Sequence, residues 1–206
     1  PGTSEAMRNG SLLLIIKIIS SSFCLWADPS YSVQPYPTPP GIVCEVTGLD
    51  YSEDGTLYIC TRRGDVWAQK NGDWQRFAHG LHEPMGLLAG PDFAVVSQRP
   101  EVTRLVDEDG DGTADRYETI CDQIAMEANF HQYNYGLVEG KIAGSLHGIL
   151  SCSGLSKPDG SPASANGFSP IPYRMWSYQI SPSGEFRPWS SGLRTANGIS
   201  FASTSV

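Results

Sequence analysis

The sequence is poor in basic residues: its 206 residues include 14 lysines and arginines against 22 aspartates and glutamates, for a net charge of −8. No stretch concentrates lysine or arginine into a basic stripe, which argues against nucleic acid or an anionic membrane surface as a partner. Long apolar runs are also missing, which excludes a multi-span membrane protein. No C-x-x-C or C-x-x-C-H motif occurs, so this portion has neither a zinc knuckle nor a covalent haem site.

The first 27 residues have the composition of a targeting segment. Residues 7–8 (Met-Arg) open a short positive region, residues 12–19 form an apolar run with one lysine, and residues 25–27 (Leu-Trp-Ala) provide a cleavage site. We therefore expect residues 1–27 to be a signal peptide, with 1–6 as upstream translation, and the mature chain to be exported to the periplasm or the extracellular space. An uncleaved membrane anchor is the alternative, although the apolar run is short for a bilayer span.

A repeated unit of four short strands organises the rest of the chain. Residues 46–78 contain four apolar runs rich in Val, Ile, Tyr and Trp, separated by three polar turns that each carry glycine, which predicts an antiparallel meander. The Gly-Leu or Gly-Ile pair that opens this rhythm returns at positions 48, 86, 136 and 198. Four-stranded sheets repeated about every 40 residues predict an all-β β-propeller, with a β-sandwich of similar strand spacing as the alternative.

The second and third units have predicted strands of their own. In the second unit we expect strands at 85–89, 93–97, 102–106 and 116–120, and in the third at 135–138, 141–145, 175–180 and 185–189. A Ser-, Pro- and Gly-rich exposed insertion is expected over 149–172, and a Pro-rich lead-in over 28–42. The chain holds about three and a half blades where closed propellers have four to eight. We therefore expect residues 43–206 to be the N-terminal part of a longer propeller.

Four cysteines follow the predicted signal peptide: Cys44, Cys60, Cys121 and Cys152. An even number in an exported chain permits two disulfides with three possible pairings. Because Cys44 and Cys60 lie on or beside neighbouring predicted strands, we expect this pair first, with buried free thiols as the alternative.

An acidic loop at 107–118 matches the D-x-D-x-D-G-x5-E calcium pattern. Carboxylates supply hard oxygen ligands, Gly112 permits the sharp turn, and six acids in one loop repel one another unless a cation is bound. Strand-like runs flank the loop, so we expect it within a hairpin, and a solvated acidic turn is the alternative. The expected metal ligands are Asp107, Asp109, Asp111, Thr113 through its carbonyl, Asp115 and Glu118.

Propeller geometry predicts one channel mouth. The connection between blades and the turn between the second and third strands reach the same face, whereas the acidic loop belongs to the opposite face and suits a structural ion. The expected mouth residues are His82, Glu83, His131, Arg194 and Asn197, bordered by Arg62, Arg63, Gln98, Arg99 and His147. Converging His, Arg and Asn side chains suit an anionic cofactor or an oxygen-rich substrate.

Two histidines at this mouth are candidates for chemistry. The adjacent His82 and Glu83 have three possible roles: an acid/base pair, half of a metal site, or a hydrogen bond that stabilises a turn. His131 lies among aromatic and amide residues before an inner strand, which makes it a candidate base as well as a structural histidine.

Four motifs, in order, resemble the glucose/sorbosone dehydrogenase family of six-bladed quinoprotein propellers: G-L-D-Y-S-E-D-G-T-L-Y, G-L-H-E-P-M-G-L, N-F-H-Q-Y-N-Y-G-L and S-G-L-R-T-A-N-G-I-S-F. The likeness is greatest to the exported "membrane-bound dehydrogenase" proteins of planctomycetes, which often carry a downstream cytochrome-type domain. It implies oxidation of a sugar or other polyol by pyrroloquinoline quinone (PQQ), with a cytochrome-type electron acceptor.

The resemblance also implies residue roles. His131 matches the general base that takes the substrate hydroxyl proton, Arg194 matches an arginine that binds the quinone carboxylates, and Asn197 matches a nearby amide. The sequence departs from the family pattern at Phe130, which replaces an acid, at Glu83-Pro84, which replaces Gln-Asn, and at Thr195, which replaces Asn.

Three functions compete at this point. The first is the quinoprotein dehydrogenase, and the second is a calcium-stabilised, non-catalytic propeller that binds a glycan or a protein. The third is a calcium-dependent lactonase-type hydrolase, for which Glu83, Asn134 and Asn197 are the available channel ligands.

Overall fold

The computed structural model describes residues 31–126, 132–151, 157, 159–161, 171–194 and 196–201. The predicted signal peptide, His131, Cys152 and Thr195 lie outside the described residues. The chain divides into two units, residues 1–37 and residues 38–206. In the first unit, residues 31–37 are exposed and have no regular secondary structure. All described strands belong to the second unit, and the described residues contain no helix that is long and apolar enough to span a membrane.

Twelve strands form three four-stranded antiparallel sheets in the described part of the chain. The first sheet contains β1 (Val46–Tyr51), β2 (Leu57–Thr61), β3 (Val66–Lys70) and β4 (Asp73–Ala78). The second contains β5 (Gly86–Ala89), β6 (Phe93–Ser97), β7 (Val102–Val106) and β8 (Arg116–Cys121), and the third contains β9 (Tyr133–Glu139), β10 (Leu146–Ser151), β11 (Trp176–Ile180) and β12 (Phe186–Ser190). Neighbouring strands are consecutive in sequence, so each sheet is a meander, and the predicted β-propeller architecture of four-stranded blades is confirmed.

Local sequence sets the tight hairpins. Between β3 and β4, Asn71 and Gly72 form a two-residue loop with φ values of 54° and 93°, and Lys70 pairs with Asp73 directly across it. Two left-handed residues are typical of a type I′ turn, whose twist matches that of the flanking strands. The Asn-Gly dipeptide therefore fixes the register of this hairpin.

The recurring glycine lies where neighbouring inner strands come into contact. A Cβ atom on Gly86 would lie 2.5 Å from the carbonyl oxygen of Gly136 in β9, and one on Gly48 would lie 3.1 Å from the amide nitrogen of Leu87 in β5. A Cβ atom on Gly136 would meet the side chain of Ile199 at 2.9 Å. The first two glycines of the repeat, Gly48 and Gly86, thus mark the contacts between successive inner strands, where the neighbouring backbone leaves no room for a side chain.

Two apolar cores lie between the blades. Successive side chains of β6 point to opposite faces, so Ala94 and Val96 pack between blades one and two, while Val95 packs between blades two and three. The first core also contains Tyr58, Cys60, Val66, Phe77, Ala78, Leu81, Leu87 and Leu105. The second contains Val102, Cys121, Ile124, Leu137, Leu146, Leu150, Tyr178 and Ile180. Burial of both faces of the middle sheet distinguishes this stack from a two-sheet sandwich.

A buried polar network also joins blades two and three. The hydroxyl of Tyr178 donates to Asn134 Oδ1 at 2.6 Å, and Asn134 Nδ2 donates to the carbonyl of Gln98 at 3.1 Å. Ser97 Oγ donates to the carbonyl of Asn134 at 3.0 Å. Burial raises the pKa of Tyr178 well above its usual range, so the phenol remains a neutral donor.

The predicted second strand of blade three is wrong. We expected it at residues 141–145, but these residues form the turn between β9 and β10. The amide of Gly140 donates to the carbonyl of Ser145 at 2.7 Å, and the amide of Ser145 donates to the carbonyl of Ile142 at 2.9 Å. The apolar run that follows, which we placed partly in the exposed insertion, is the buried strand β10.

The cysteines in the described residues are free thiols, so the expected disulfide between Cys44 and Cys60 is wrong. Cys60 points into the core between blades one and two and is fully buried, whereas Cys44 is half-buried ahead of β1. Burial raises the pKa of Cys60 to about 11, which keeps this thiol protonated and unreactive.

We predict that Gly86→Ala lowers the free energy of unfolding by about 1–3 kcal/mol, because the added methyl group overlaps the backbone of Gly136. Urea unfolding followed by tryptophan fluorescence measures the loss. Gly198→Ala is the matched control, since a Cβ atom there meets no atom within 4 Å. Wild-type stability of Gly86→Ala would contradict the inner-strand contact.

Candidate channel-mouth site and acidic loop

The structure gathers arginines from two turns at one end of the blades, which we call the channel mouth. Arg62 lies between β2 and β3, Arg99 lies between β6 and β7, and His82 and Glu83 lie in the connection from β4 to β5. Because the strands alternate in direction, these three segments meet at one end of blades one and two. The acidic loop between β7 and β8 lies at the opposite end.

Glu83 is held between the two arginines. Its Oε1 lies 3.2 Å from Arg62 Nη1, and its Oε2 accepts a hydrogen bond from Arg99 Nε. Arg62 also forms a 3.0 Å ion pair with Glu45, whose hydrogen bond raises the pKa of Arg62. The backbone of Glu83 has a left-handed φ of 47° immediately before Pro84, which is uncommon for a residue with a side chain. The two arginines therefore fix the carboxylate of a residue whose backbone conformation is uncommon.

Arg99 links this cluster to the third blade. Its guanidinium lies 4.9 Å from the ring centroid of Tyr133 at the start of β9, and only 9% of its side chain is exposed. A cation over an aromatic face is attracted by the ring quadrupole. We call Glu45, Arg62, Glu83, Arg99 and Tyr133 the mouth cluster, and it draws on all three blades.

His82 does not pair with Glu83. Its backbone N–H donates to Gln98 Oε1 at 2.7 Å, while its side chain is exposed. Among the described residues, the imidazole has no hydrogen bond or ion pair. Since the Glu83 carboxylate faces the arginines instead, the structure does not assemble the expected acid/base pair or half of a metal site.

The segment after β12 returns to the mouth end of blade three. The amide of Leu193 donates to the carbonyl of Met175, which directly precedes β11, at 3.0 Å. Arg194 follows and is exposed, with no ion-pair partner in the described part of the chain. Ile199 then packs against the inner strand β9, and the exposed Asn197 lies between these two contacts.

His131, the expected base, lies outside the described residues. The next residue, Gln132, is buried and its side-chain amide donates to the carbonyl of Ala125 at 3.1 Å. Tyr133 of the mouth cluster follows. The chain is therefore anchored at the mouth immediately after His131.

His147 does not border the mouth, contrary to our expectation. It lies near the start of β10, at the other end of blade three, because this strand begins later than predicted. The side chain is buried, and its ring stands edge-on to Trp189 and Phe201 at centroid distances of 5.1 and 4.9 Å. Burial lowers the pKa of His147, which is consistent with a neutral packing residue.

At the opposite end, the acidic loop brings three of its expected ligands together. Carboxylate oxygens of Asp107, Asp109 and Asp115 all lie within 4.8 Å of one another. Asp107 also accepts hydrogen bonds from the amides of Gly110 and Gly112, at 2.8 and 2.9 Å, which close the turn. Converging carboxylates fit a hard divalent cation, because they repel one another without one.

Glu118 does not join this group. It lies within β8, which begins at Arg116, and its carboxylate forms an ion pair with Arg116. Asp111 is also outside the group and accepts the amide of Thr113 at 2.7 Å. Because the strand starts before the last loop position, Glu118 does not close around the ion position as the twelve-residue pattern requires.

The hydrolase alternative loses the oxygen donors on which it depends. Asn134 is buried in the network with Tyr178, and Glu83 is bound by two arginines. Of the three expected channel ligands, Asn197 alone is exposed. The described geometry therefore does not favour a metal-dependent hydrolase at the mouth.

Sequence reasoning missed two members of the mouth cluster. Glu45 pairs with both Arg62 and Arg63, the latter at 3.5 Å, and Tyr133 receives the Arg99 guanidinium. Both contacts join segments that are distant in sequence. The available signals were the charge of Glu45, opposite to the Arg-Arg pair, and an aromatic residue two positions after His131.

No protein-family model and no curated protein sequence matches the chain. A structure described as an oxidoreductase (glucose dehydrogenase) from Thermus thermophilus is 18% identical with a TM-score of 0.50, over 69% of this chain and 46% of its own length. The holo PQQ domain of pyranose dehydrogenase from Coprinopsis cinerea is 10% identical with a TM-score of 0.47, over 67% of this chain and 34% of its own length. The likeness concerns the propeller fold alone, and the chain spans less than half of either protein.

We predict that Glu83→Gln lowers the free energy of unfolding by about 1–3 kcal/mol, because the largely buried Arg99 loses its charged partner. Urea denaturation at low ionic strength measures the change. Glu45→Gln is the matched control: its pair with Arg62 is more exposed, so its loss should stay below about 1 kcal/mol. Equal losses of unfolding free energy in both variants would show that the ion pair of Arg99 with Glu83 contributes no more to stability than the more exposed pair of Arg62 with Glu45.

Proposed function

We propose that this chain is the N-terminal part of an exported, PQQ-dependent, dehydrogenase-like protein that oxidises a sugar or other polyol. One observation carries the proposal. The exposed Arg194, without an ion-pair partner in the described residues, lies at the end of blade three where β9 begins, two residues after His131 in sequence. The resemblance of the sequence motifs to the glucose/sorbosone dehydrogenase family implies cofactor binding for Arg194 and base chemistry for His131.

The residues at this end of blade three fit a quinone that carries carboxylate groups. When bound, PQQ supplies the two-electron acceptor for the oxidation. Arg194 offers a planar guanidinium fork that matches a carboxylate, and Asn197 offers amide donors. Arg62 and Arg99 are less suited, because Glu83 already engages both. We therefore assign cofactor binding to Arg194 and Asn197.

In this proposal, His131 takes the proton of the substrate hydroxyl as a general base, a role that a neutral imidazole can take. His82, Glu83, Arg62 and Arg99 then face the substrate side of the mouth. Oxygen acceptors and guanidinium donors in one rim suit a ligand with several hydroxyl groups. The substrate is therefore a small sugar or polyol.

The cellular setting of the proposal rests on the sequence. The predicted signal peptide supports export, so the reaction belongs to the periplasm or the extracellular space, with membrane association if the leader is retained. A cytochrome-type partner is the proposed electron acceptor, as the family resemblance implies.

A non-catalytic propeller that binds a glycan or a protein is the second candidate. The observation that favours it is the mutual pairing of the mouth charges. Glu83 engages Arg62 and Arg99, and Glu45 engages Arg62 and Arg63. A rim whose charges are already paired suits recognition by shape and hydrogen bonds better than proton transfer.

We also propose that the acidic loop holds a structural calcium ion. Asp107, Asp109 and Asp115 supply the carboxylates that already converge, and the loop lies away from the mouth. An ion there stabilises the hairpin between β7 and β8 and takes no part in the chemistry.

We predict that the intact protein, supplied with PQQ, reduces an electron-accepting dye when given an aldose or polyol. His131→Ala should lower kcat by about 10²–10⁴-fold while leaving PQQ affinity unchanged, because the base acts on the substrate. Arg194→Ala should raise the Kd for PQQ at least about tenfold. His79→Ala, at an exposed histidine outside the site, is the control.

Two outcomes would change this assignment. Quinone-dependent turnover that survives His131→Ala would remove His131 as the base. Absence of both PQQ binding and turnover would leave the non-catalytic propeller as the function.

We predict that calcium at a hundred times its Kd raises the free energy of unfolding by about 2.7 kcal/mol, and that a chelator reverses the gain. Asp109→Asn should weaken calcium binding at least about tenfold, as measured by titration calorimetry. Glu118→Gln is the control, because this carboxylate is engaged by Arg116. A large loss in Glu118→Gln would favour the full twelve-residue pattern, and no heat at millimolar calcium would refute the ion.

A further inference from the structure

A cleft of about 470 Å³ opens between blades one and two at the end opposite the channel mouth. Three hairpin turns and the acidic loop form its rim, and the buried side chains of Thr56, Tyr58 and Phe77 lie in its floor. Trp74 and Lys70 also line it. We call this space the inter-blade cleft.

Carboxylates dominate the charge of the inter-blade cleft. Its lining includes five of them, from Asp54, Asp73, Asp92, Asp107 and Asp111, against the single ammonium group of Lys70. Lys70 pairs with Asp54 at 2.6 Å, and this hydrogen bond is the main reason that the pKa of Asp54 lies well below its usual range. The other four carboxylates have no ion-pair partner in the described residues. The cleft therefore attracts cations and repels anions.

An unpartnered polar group lies in the floor of the same cleft. Tyr58 is only 5% exposed and packs edge-on against Phe77, with ring centroids 5.2 Å apart. Among the described residues its hydroxyl has no hydrogen-bond partner. Burial raises the pKa of Tyr58, and the charges of Asp54, Asp107 and Asp92, which line the same cleft, raise it further. Because Tyr58 lines the cleft and its hydroxyl has no partner in the described protein, a ligand group in the cleft can donate a hydrogen bond to it.

The composition of the floor favours an organic cation over a metal ion. Tyr58, Phe77 and Trp74 present aromatic carbon, which packs against methylene groups and attracts ammonium groups. A hard metal ion would take oxygen ligands alone and would leave these rings unused. A chain with an ammonium group at each end matches both the apolar floor and the acidic rim.

We propose that the inter-blade cleft binds a small aliphatic diamine, with one ammonium group at the Tyr58 hydroxyl and its methylene chain along the aromatic floor. The inner ammonium donates to the phenol oxygen and to Asp92. The second ammonium lies at the rim, within the field of Asp73. The ligand binds without a covalent step, and the site is separate from the channel mouth and from the proposed dehydrogenase.

The test is titration calorimetry of the 206-residue chain with 1,5-diaminopentane at low ionic strength, compared with the neutral 1,5-pentanediol. We expect binding of the diamine alone, weakened by added salt because charges drive it. Paired Asp73→Asn and Asp92→Asn substitutions should raise the Kd at least about tenfold. Tyr58→Phe should raise it several-fold with the circular dichroism spectrum unchanged, and Asp122→Asn, at an exposed acid outside the cleft, should leave it unchanged.

Each contrary result overturns the proposal. Equal affinity for the diol would mean that charge does not select the ligand. An unchanged Kd in the paired aspartate variant would place the diamine elsewhere, and these two exposed positions are suited to substitution without loss of the fold. Complete displacement of the diamine by one equivalent of calcium would assign the cleft to the metal, since Asp107 belongs to both sites.

Discussion

The contact between inner strands is the constraint on which the rest of this structure depends. Gly48 and Gly86 each abut the next inner strand, a methyl group at Gly86 would overlap the backbone of β9, and Gly136 lies against the side chain of Ile199. This contact sets how closely successive blades approach around the channel. The spacing in turn lets the two inter-blade cores close and lets turns from different blades share one mouth. Glycine is often required by a turn, but at Gly48 and Gly86 it is required because the neighbouring strand leaves no space for a side chain.

In the mouth cluster, the same side chains stabilise the contact between blades and form the polar surface of the channel mouth. Arg99 is largely buried, so its charge needs Glu83 and the ring of Tyr133, and these partners belong to different blades. The left-handed backbone at Glu83 persists because both arginines hold its carboxylate. The same contacts that join the blades therefore present polar groups at the channel opening.

The two ends of the blades differ in charge and therefore in the ligands they suit. The mouth combines three arginines with two glutamates and offers hydrogen bonds of both kinds, which suits polar, oxygen-rich molecules. The opposite end carries the acidic loop and the inter-blade cleft, where carboxylates outnumber cations. Antiparallel strand order alone separates these ends, since alternate turns emerge on opposite faces. The same fold thus carries a mouth that tolerates anions and an opposite end that attracts cations, and the two surfaces are separated by the length of the strands.

The sequence by itself determined the elements that short-range rules control. It indicated the four-stranded rhythm, the strands of blade two almost to the residue, and the turns at Asn71-Gly72 and in the acidic loop, because strand periodicity and turn chemistry are local. Tertiary structure decided what depends on distant partners. It moved β10 to the buried run, turned Glu118 towards Arg116, left Cys60 a core thiol and joined Arg99 to Glu83 and Tyr133. Burial and ion pairing between blades set these outcomes, and neither leaves a periodic signal in the sequence.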